Sequence, residues 1–200
     1  MSYQYLALGD SYTIGEAVML TESFPYQTVQ LLRAENIDMA APEVIAKTGW
    51  TTGELQAAMD GYRFAKAYEL VSLLIGVNNQ YRGYSMEEYK RDLKHLLNQA
   101  IHFAGGRKEK VFVLSIPDYS VTPFAKTMDV AKIEKEIKAF NTEKKDLCER
   151  LKVHFINITE NTQRAKNNVH LLAADGLHPS AAAYHEWATL LAQKMKSVLV

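Results

Sequence analysis

The chain has 200 residues, 48% of them hydrophobic and 23% charged, with 23 Lys and Arg balanced by 23 Asp and Glu. Neutrality excludes the basic excess of a nucleic-acid or anionic-membrane binder, and the apolar content excludes disorder as the dominant state. A lone cysteine, Cys148, excludes an intrachain disulfide and any multi-cysteine metal site.

Met1 to Leu8 leads directly to Gly9-Asp10, without the basic stretch and apolar run of an export signal, so the expectation is a cytoplasmic protein. Strands are expected over 3–8, 43–47, 69–75, 110–116 and 153–156; several are apolar at nearly every position, as in a parallel sheet covered on both faces. The most apolar run, residues 70–77, is far shorter than the ~20 residues of a membrane span. Between the strands lie helical periods. A helix over 25–34 opens with Pro25 in its first turn, where a missing N–H costs nothing. The segment 86–103 carries a stripe from Met86 through Tyr89, Leu93 and Leu97 to Ile101, and 130–151 one from Val130 through Ile133, Ile137, Phe140 and Leu147. The Lys and Glu residues within 132–152 read as a solvated helix face. A final helix starts near Pro179 and repeats Tyr184, Trp187, Leu191, Met195 and Val198. Such stripes are core-facing surfaces. With no internal repeat and no linker, residues 1–200 read as one α/β domain with right-handed crossovers and helices on both faces of the sheet.

Ligands of such sheets bind beyond the carboxyl ends of the strands, so the residues that follow each strand matter most. Gly9-Asp10-Ser11-Tyr12 follows the first, Thr48-Gly49-Trp50-Thr51-Thr52 the second and Gly76-Val77-Asn78-Asn79 the third, while Asp175-Gly176-Leu177-His178-Pro179 precedes the last helix. These segments hold the parts needed for acyl transfer. Ser11 offers a hydroxyl that becomes nucleophilic only when a base removes its proton. His178 is suited to be that base. Asp175, three residues upstream, is placed to fix the imidazole tautomer. Gly49 can bring a backbone N–H close to substrate, and Asn78 can direct a side-chain amide at the same developing oxyanion. Each segment also has an ordinary reading, as a turn around Asp10, a cap at Asn78-Asn79 or a helix start at Asp175. The combination carries the argument.

The nucleophile-elbow pattern G-x-S-x-G is absent, because position 13 is Thr. The four segments resemble instead the blocks of the SGNH, or GDSL, hydrolase family, which contribute serine, glycine, asparagine and histidine in that order, here from residue 9 to residue 179. The resemblance implies a three-layer, flavodoxin-like α/β/α fold with a five-stranded parallel sheet in the order 2-1-3-4-5. It implies Ser11 as nucleophile and oxyanion donor through its N–H, Gly49 and Asn78 as further donors, and Asp175 with His178 as the remaining triad members. Ester hydrolysis would need no metal or cofactor. Two positions depart from the pattern: Tyr12 stands where the family nickname has leucine, and Asn79 where the third block usually has aspartate, a change that bears on how the asparagine loop is braced.

Tyr12, Trp50, Asn79, Tyr81 and Tyr119 lie in or beside these segments and are candidate substrate contacts, though aromatics at strand ends serve core closure equally often. The loop 117–126 is a candidate substrate gate. Of six histidines only His178 receives a role; a metal site from His170, His178 and Asp175 would lack further ligands. Cys148 reads as an inert thiol. The leading expectation is a serine esterase or lipase acting on a small or short-acyl ester. Acetyl-carbohydrate esterase, lysophospholipase or thioesterase chemistry would use the same parts. The alternative of another class is a non-catalytic flavodoxin-like binding module, disfavoured by the absence of G-x-G-x-x-G and P-loop motifs.

Overall fold

The computed structural model describes residues 2–65 and 67–199. Five parallel strands, β1 (Tyr5–Gly9), β2 (Glu43–Ala46), β3 (Leu70–Leu74), β4 (Val111–Leu114) and β5 (His154–Ile156), form one sheet in the order β2-β1-β3-β4-β5. This is the expected topology. β1, β3 and β4 are buried at every position, which is why their sequences run apolar without alternation. The strand edges are trimmed relative to expectation. Tyr3 makes only an isolated bridge to Met39, and Lys110 ends a 3-10 turn, Lys108–Lys110.

The helices are α1 (Ser11–Ile14), α2 (Phe24–Ala34), α3 (Thr52–Asp60), α4 (Val77–Tyr81), α5 (Met86–Phe103), α6 (Val130–Leu151), α7 (Thr159–Gln163) and α8 (Ala181–Leu199). α2 packs on α8 at one face of the sheet, while α3, α5 and α6 pack on one another. Right-handed crossovers put this second group on the opposite face, because the chain steps one way from β1 to β2 and the other way from β2 onward. Tyr89 of α5 and Phe140 of α6 meet with ring centroids 4.4 Å apart. Trp187 of α8 is fully buried against Phe24 of α2. No helix among the described residues is long and apolar enough to cross a membrane.

Two expectations for α6 are corrected. Val130 begins the apolar stripe in sequence but is exposed. Lys144 belongs to the buried stripe, not to the solvated face: its position continues the series Ile133, Ile137, Phe140, and it is entirely buried. Its ammonium donates to the carbonyls of Ile75 (2.9 Å) and Leu114 (3.0 Å), bridging the carboxyl ends of β3 and β4. Burial lowers its pKa to about 8.

Candidate active site

The carboxyl end of β1 turns into α1 within one residue. Gly9 permits this turn, since a Cβ there would lie 2.1 Å from Thr13 Oγ1 and 2.4 Å from the Leu74 carbonyl. Asp10 caps α1: its Oδ1 accepts the Tyr12 N–H at 3.1 Å. Ser11 thereby enters the first turn of α1 with its side chain at the sheet edge. At the opposite end of the sequence, Asp175 Oδ1 accepts the backbone N–H groups of Leu177 and His178, both at 3.0 Å, and closes a tight turn. The His178 imidazole Nδ1–H donates to Asp175 Oδ2 at 2.6 Å, and the Ser11 hydroxyl donates to Nε2 at 2.9 Å. Partial burial would raise the Asp175 carboxyl, but the His178 ring and the two backbone donors outweigh it and hold its pKa below the ordinary value. The carboxylate therefore stays charged beside the ring. A hydroxyl, an imidazole and a carboxylate in one hydrogen-bonded line can transfer a proton away from Ser11 Oγ as it attacks an electrophile.

Next to Ser11 in sequence lies a buried carboxyl. Asp10 is fully buried and its Oδ2 has no hydrogen-bond partner among the described residues. Burial pushes its carboxyl up to about 7, opposed by the Tyr12 N–H and the Lys144 ammonium.

The second and third segments meet beside Ser11. Gly49 has φ +83°, in the left-handed region that favours glycine, and its carbonyl accepts from Arg82 Nη2 at 2.6 Å. The Asn78 side-chain amide donates to the Trp50 carbonyl at 3.0 Å. Asn79 is expected as a substrate contact, and the structure corrects this. It is fully buried, its Oδ1 accepts the Thr52 N–H at 3.0 Å, and its Nδ2 donates to Thr52 Oγ1 at 2.8 Å. Thr52 Oγ1 in turn donates to Asp92 Oδ2 at 3.1 Å. The chain of donors runs one way, from amide to hydroxyl to carboxylate. Trp50 takes the core-closure alternative: its half-buried ring packs against the main core, and its contribution near the site is its carbonyl.

A cavity of about 110 Å³ opens over Ser11, Asn78 and His178. Tyr12, Tyr81 and Tyr119 line it as expected; Gly49, Trp50 and Asn79 do not. Tyr12 packs its ring 5.0 Å from that of His178. Sequence reasoning did not single out Val77, Phe124 and Leu177, which complete the lining. Val77 and Leu177 adjoin Asn78 and His178, so their place was available from the segments themselves, and Phe124 lies in the loop 117–126. That loop is built as a braced wall. It forms two 3-10 turns, Tyr119–Val121 and Pro123–Ala125, and Asp118 ties it down through the Ser120 N–H and the Gln163 amide, both at 3.0 Å. Cys148 is buried, which pushes its thiol up to about 12.

A five-stranded parallel sheet in the order 2-1-3-4-5 with helices around it matches the three-layer fold of SGNH hydrolases. The chain belongs to the GDSL-like lipase/acylhydrolase family, whose model matches residues 7–186. Among solved structures it is similar to an acetylxylan esterase from Geobacillus stearothermophilus at 19% identity, covering 96% of this chain and 94% of that one, with a TM-score of 0.71. It is similar to a psychrotrophic esterase from Pseudoalteromonas sp. at 18% identity over 99% of both chains, with a TM-score of 0.71. TesA superposes with a TM-score of 0.75 at 18% identity, covering 98% of this chain and 99% of that one. Identities this low speak to the fold alone. No curated protein sequence matches significantly.

Proposed function

We propose that this chain is a serine hydrolase of small, short-acyl carboxylic esters, working as one catalytic domain without metal or cofactor. The observation that carries the reading is the continuous line Ser11 Oγ to His178 Nε2 (2.9 Å) and His178 Nδ1 to Asp175 Oδ2 (2.6 Å). Ser11 Oγ attacks the ester carbonyl carbon as its proton passes to His178 Nε2. Asp175 holds the tautomer and stabilises the imidazolium. The negative charge that develops on the carbonyl oxygen is met by the N–H groups of Ser11 and Gly49 and by the Asn78 amide, whose second N–H is not used by the Trp50 carbonyl. Collapse of the tetrahedral species expels the alcohol, which takes the proton from His178. Water then repeats the attack on the acyl-enzyme and releases the acid.

The preference for short acyl groups rests on the small size of the cavity over Ser11, about 110 Å³ against about 560 Å³ for the groove beside it. Ser11→Ala is expected to reduce kcat on p-nitrophenyl acetate by roughly 10⁴–10⁶-fold while the protein melts as the wild type does. Wild-type turnover in that variant would overturn the mechanism. A panel of acetylated sugars, thioesters and lysophospholipids then sorts the alcohol and thiol components that the same parts could release.

A further inference from the structure

The cavity over Ser11 has a neighbour. A groove of about 560 Å³ runs along α6, and Tyr81 and Tyr119 line both spaces. Buried Ile133 and Phe140 form the bottom of the groove, and exposed Asp129 and Lys132 its lip. The two tyrosines are a shared partition, built unequally. Tyr119 is fixed: its hydroxyl donates to Gln80 Oε1 at 2.8 Å, and Gln80 Nε2 donates to Glu136 Oε2 of α6 at 2.8 Å. Tyr81 is 53% exposed and leans on Tyr119 and Phe124 through ring contacts at 6.3 and 6.0 Å.

The position of the base decides which half of an ester faces this partition. The leaving oxygen must lie at His178 Nε2 to receive its proton, so the alcohol departs over the Leu177–His178 side. The cavity lining left for the acyl group on the α4 side is Val77 and Tyr81. The groove beyond is apolar at its bottom, as an alkyl chain requires.

We propose that Tyr81 sets the acyl-chain limit of this site: it confines the acyl group to the cavity over Ser11, and the groove along α6 is an acyl subsite reached only when the Tyr81 ring is removed from the path. The inference rests on the reading of Ser11 as the nucleophile of an ester hydrolase. Each methylene transferred from water to an apolar surface strengthens binding about fourfold, so two or three methylenes in the groove produce a large signal.

The test measures kcat/KM on p-nitrophenyl esters from acetate to decanoate for the wild type, Tyr81→Ala, and Tyr81→Ala combined with Ala139→Trp, which fills the groove from its exposed lining. The wild type is expected to decline steeply beyond butanoate. Tyr81→Ala should raise the decanoate-to-acetate ratio at least 20-fold, and adding Ala139→Trp should return the ratio to within threefold of the wild type. Tyr81→Leu is the second opening variant should the alanine protein not fold, as judged by its melt. An unchanged ratio in the folded opening variant, a gain that survives Ala139→Trp, or a wild type that already prefers decanoate would each overturn the assignment. Failure of the underlying reading has a different signature: no ester is hydrolysed at any length, or Ser11→Ala remains active.

Discussion

Asn79 and Asp10 are both fully buried, and each follows a strand of the central sheet, yet they are built oppositely. Both side-chain amide atoms of Asn79 are paired with Thr52, and the donor chain ends on Asp92. Asp10 pairs one oxygen with the Tyr12 N–H and leaves the other without a hydrogen-bond partner among the described residues, within the field of buried Lys144. A satisfied neutral amide joins two loops at little electrostatic expense. A half-satisfied carboxylate in the same kind of surroundings destabilises the folded chain whenever it is charged. The Asn78–Asn79 side of the cavity is thus held by pairing, whereas the Asp10 carboxyl next to Ser11 is buried at an electrostatic cost.

Three variants probe this contrast. The largest effect is expected at the residue that the Asn79 brace positions: Asn78→Ala should lower kcat about 10²–10³-fold with little change in KM, as for loss of one oxyanion donor. A loss below fivefold in steady-state kinetics would remove Asn78 from the oxyanion site. Next comes Asp10→Asn. The folded-state carboxyl has its pKa raised from 3.8 to about 7, so the unfolded chain ionises first as pH rises. Stability from this group is therefore greatest in acid and is lost progressively up to pH 7. The asparagine variant lacks this dependence. Its stability relative to the wild type should improve by about 2–3 kcal/mol between pH 5 and pH 8, read from denaturant melts. A pH-independent difference would contradict the buried charge. The smallest effect is Asn79→Asp. This change removes the N–H donated to Thr52 Oγ1 and sets two carboxylates against one hydroxyl, and should cost about 1–2 kcal/mol at neutral pH. An equally stable N79D protein would show that the brace tolerates the carboxylate.

The central strands and the long helices were legible because the signals are strong there, whereas the sheet order came only from the resemblance of the four segments to SGNH hydrolases. Runs of buried residues mark β1, β3 and β4, and α5 and α6 start and stop where their stripes do. The short helices α1, α3, α4 and α7 were missed for physical reasons. Four or five residues hold little more than one helical period, and α3 is announced only by its capping box, Thr51 with Glu54. At the site, Ser11, Asp175 and His178 converge from segments whose order and place at the strand ends suggested one sheet edge. Asn79 and Lys144 could not be read correctly from polarity alone. Each is a polar residue in an apolar register, and only the partner across the fold, Thr52 for one and the carbonyls of Ile75 and Leu114 for the other, makes its burial tolerable. Trp50 could not be placed from sequence because an aromatic beside a strand end suits core closure as well as a pocket.

The hydrogen bond between Ser11 and His178 joins residues 167 apart in sequence. During synthesis Ser11, the Gly49 loop and α4 all emerge before His178. His178 reaches Ser11 only once the last segment has folded back, with α8 seated on α2 and the Gln27 amide donating to the Ala181 carbonyl at 2.9 Å. The Ser11–His178 hydrogen bond therefore forms only when the first strand and the last segment of the fold are in place together.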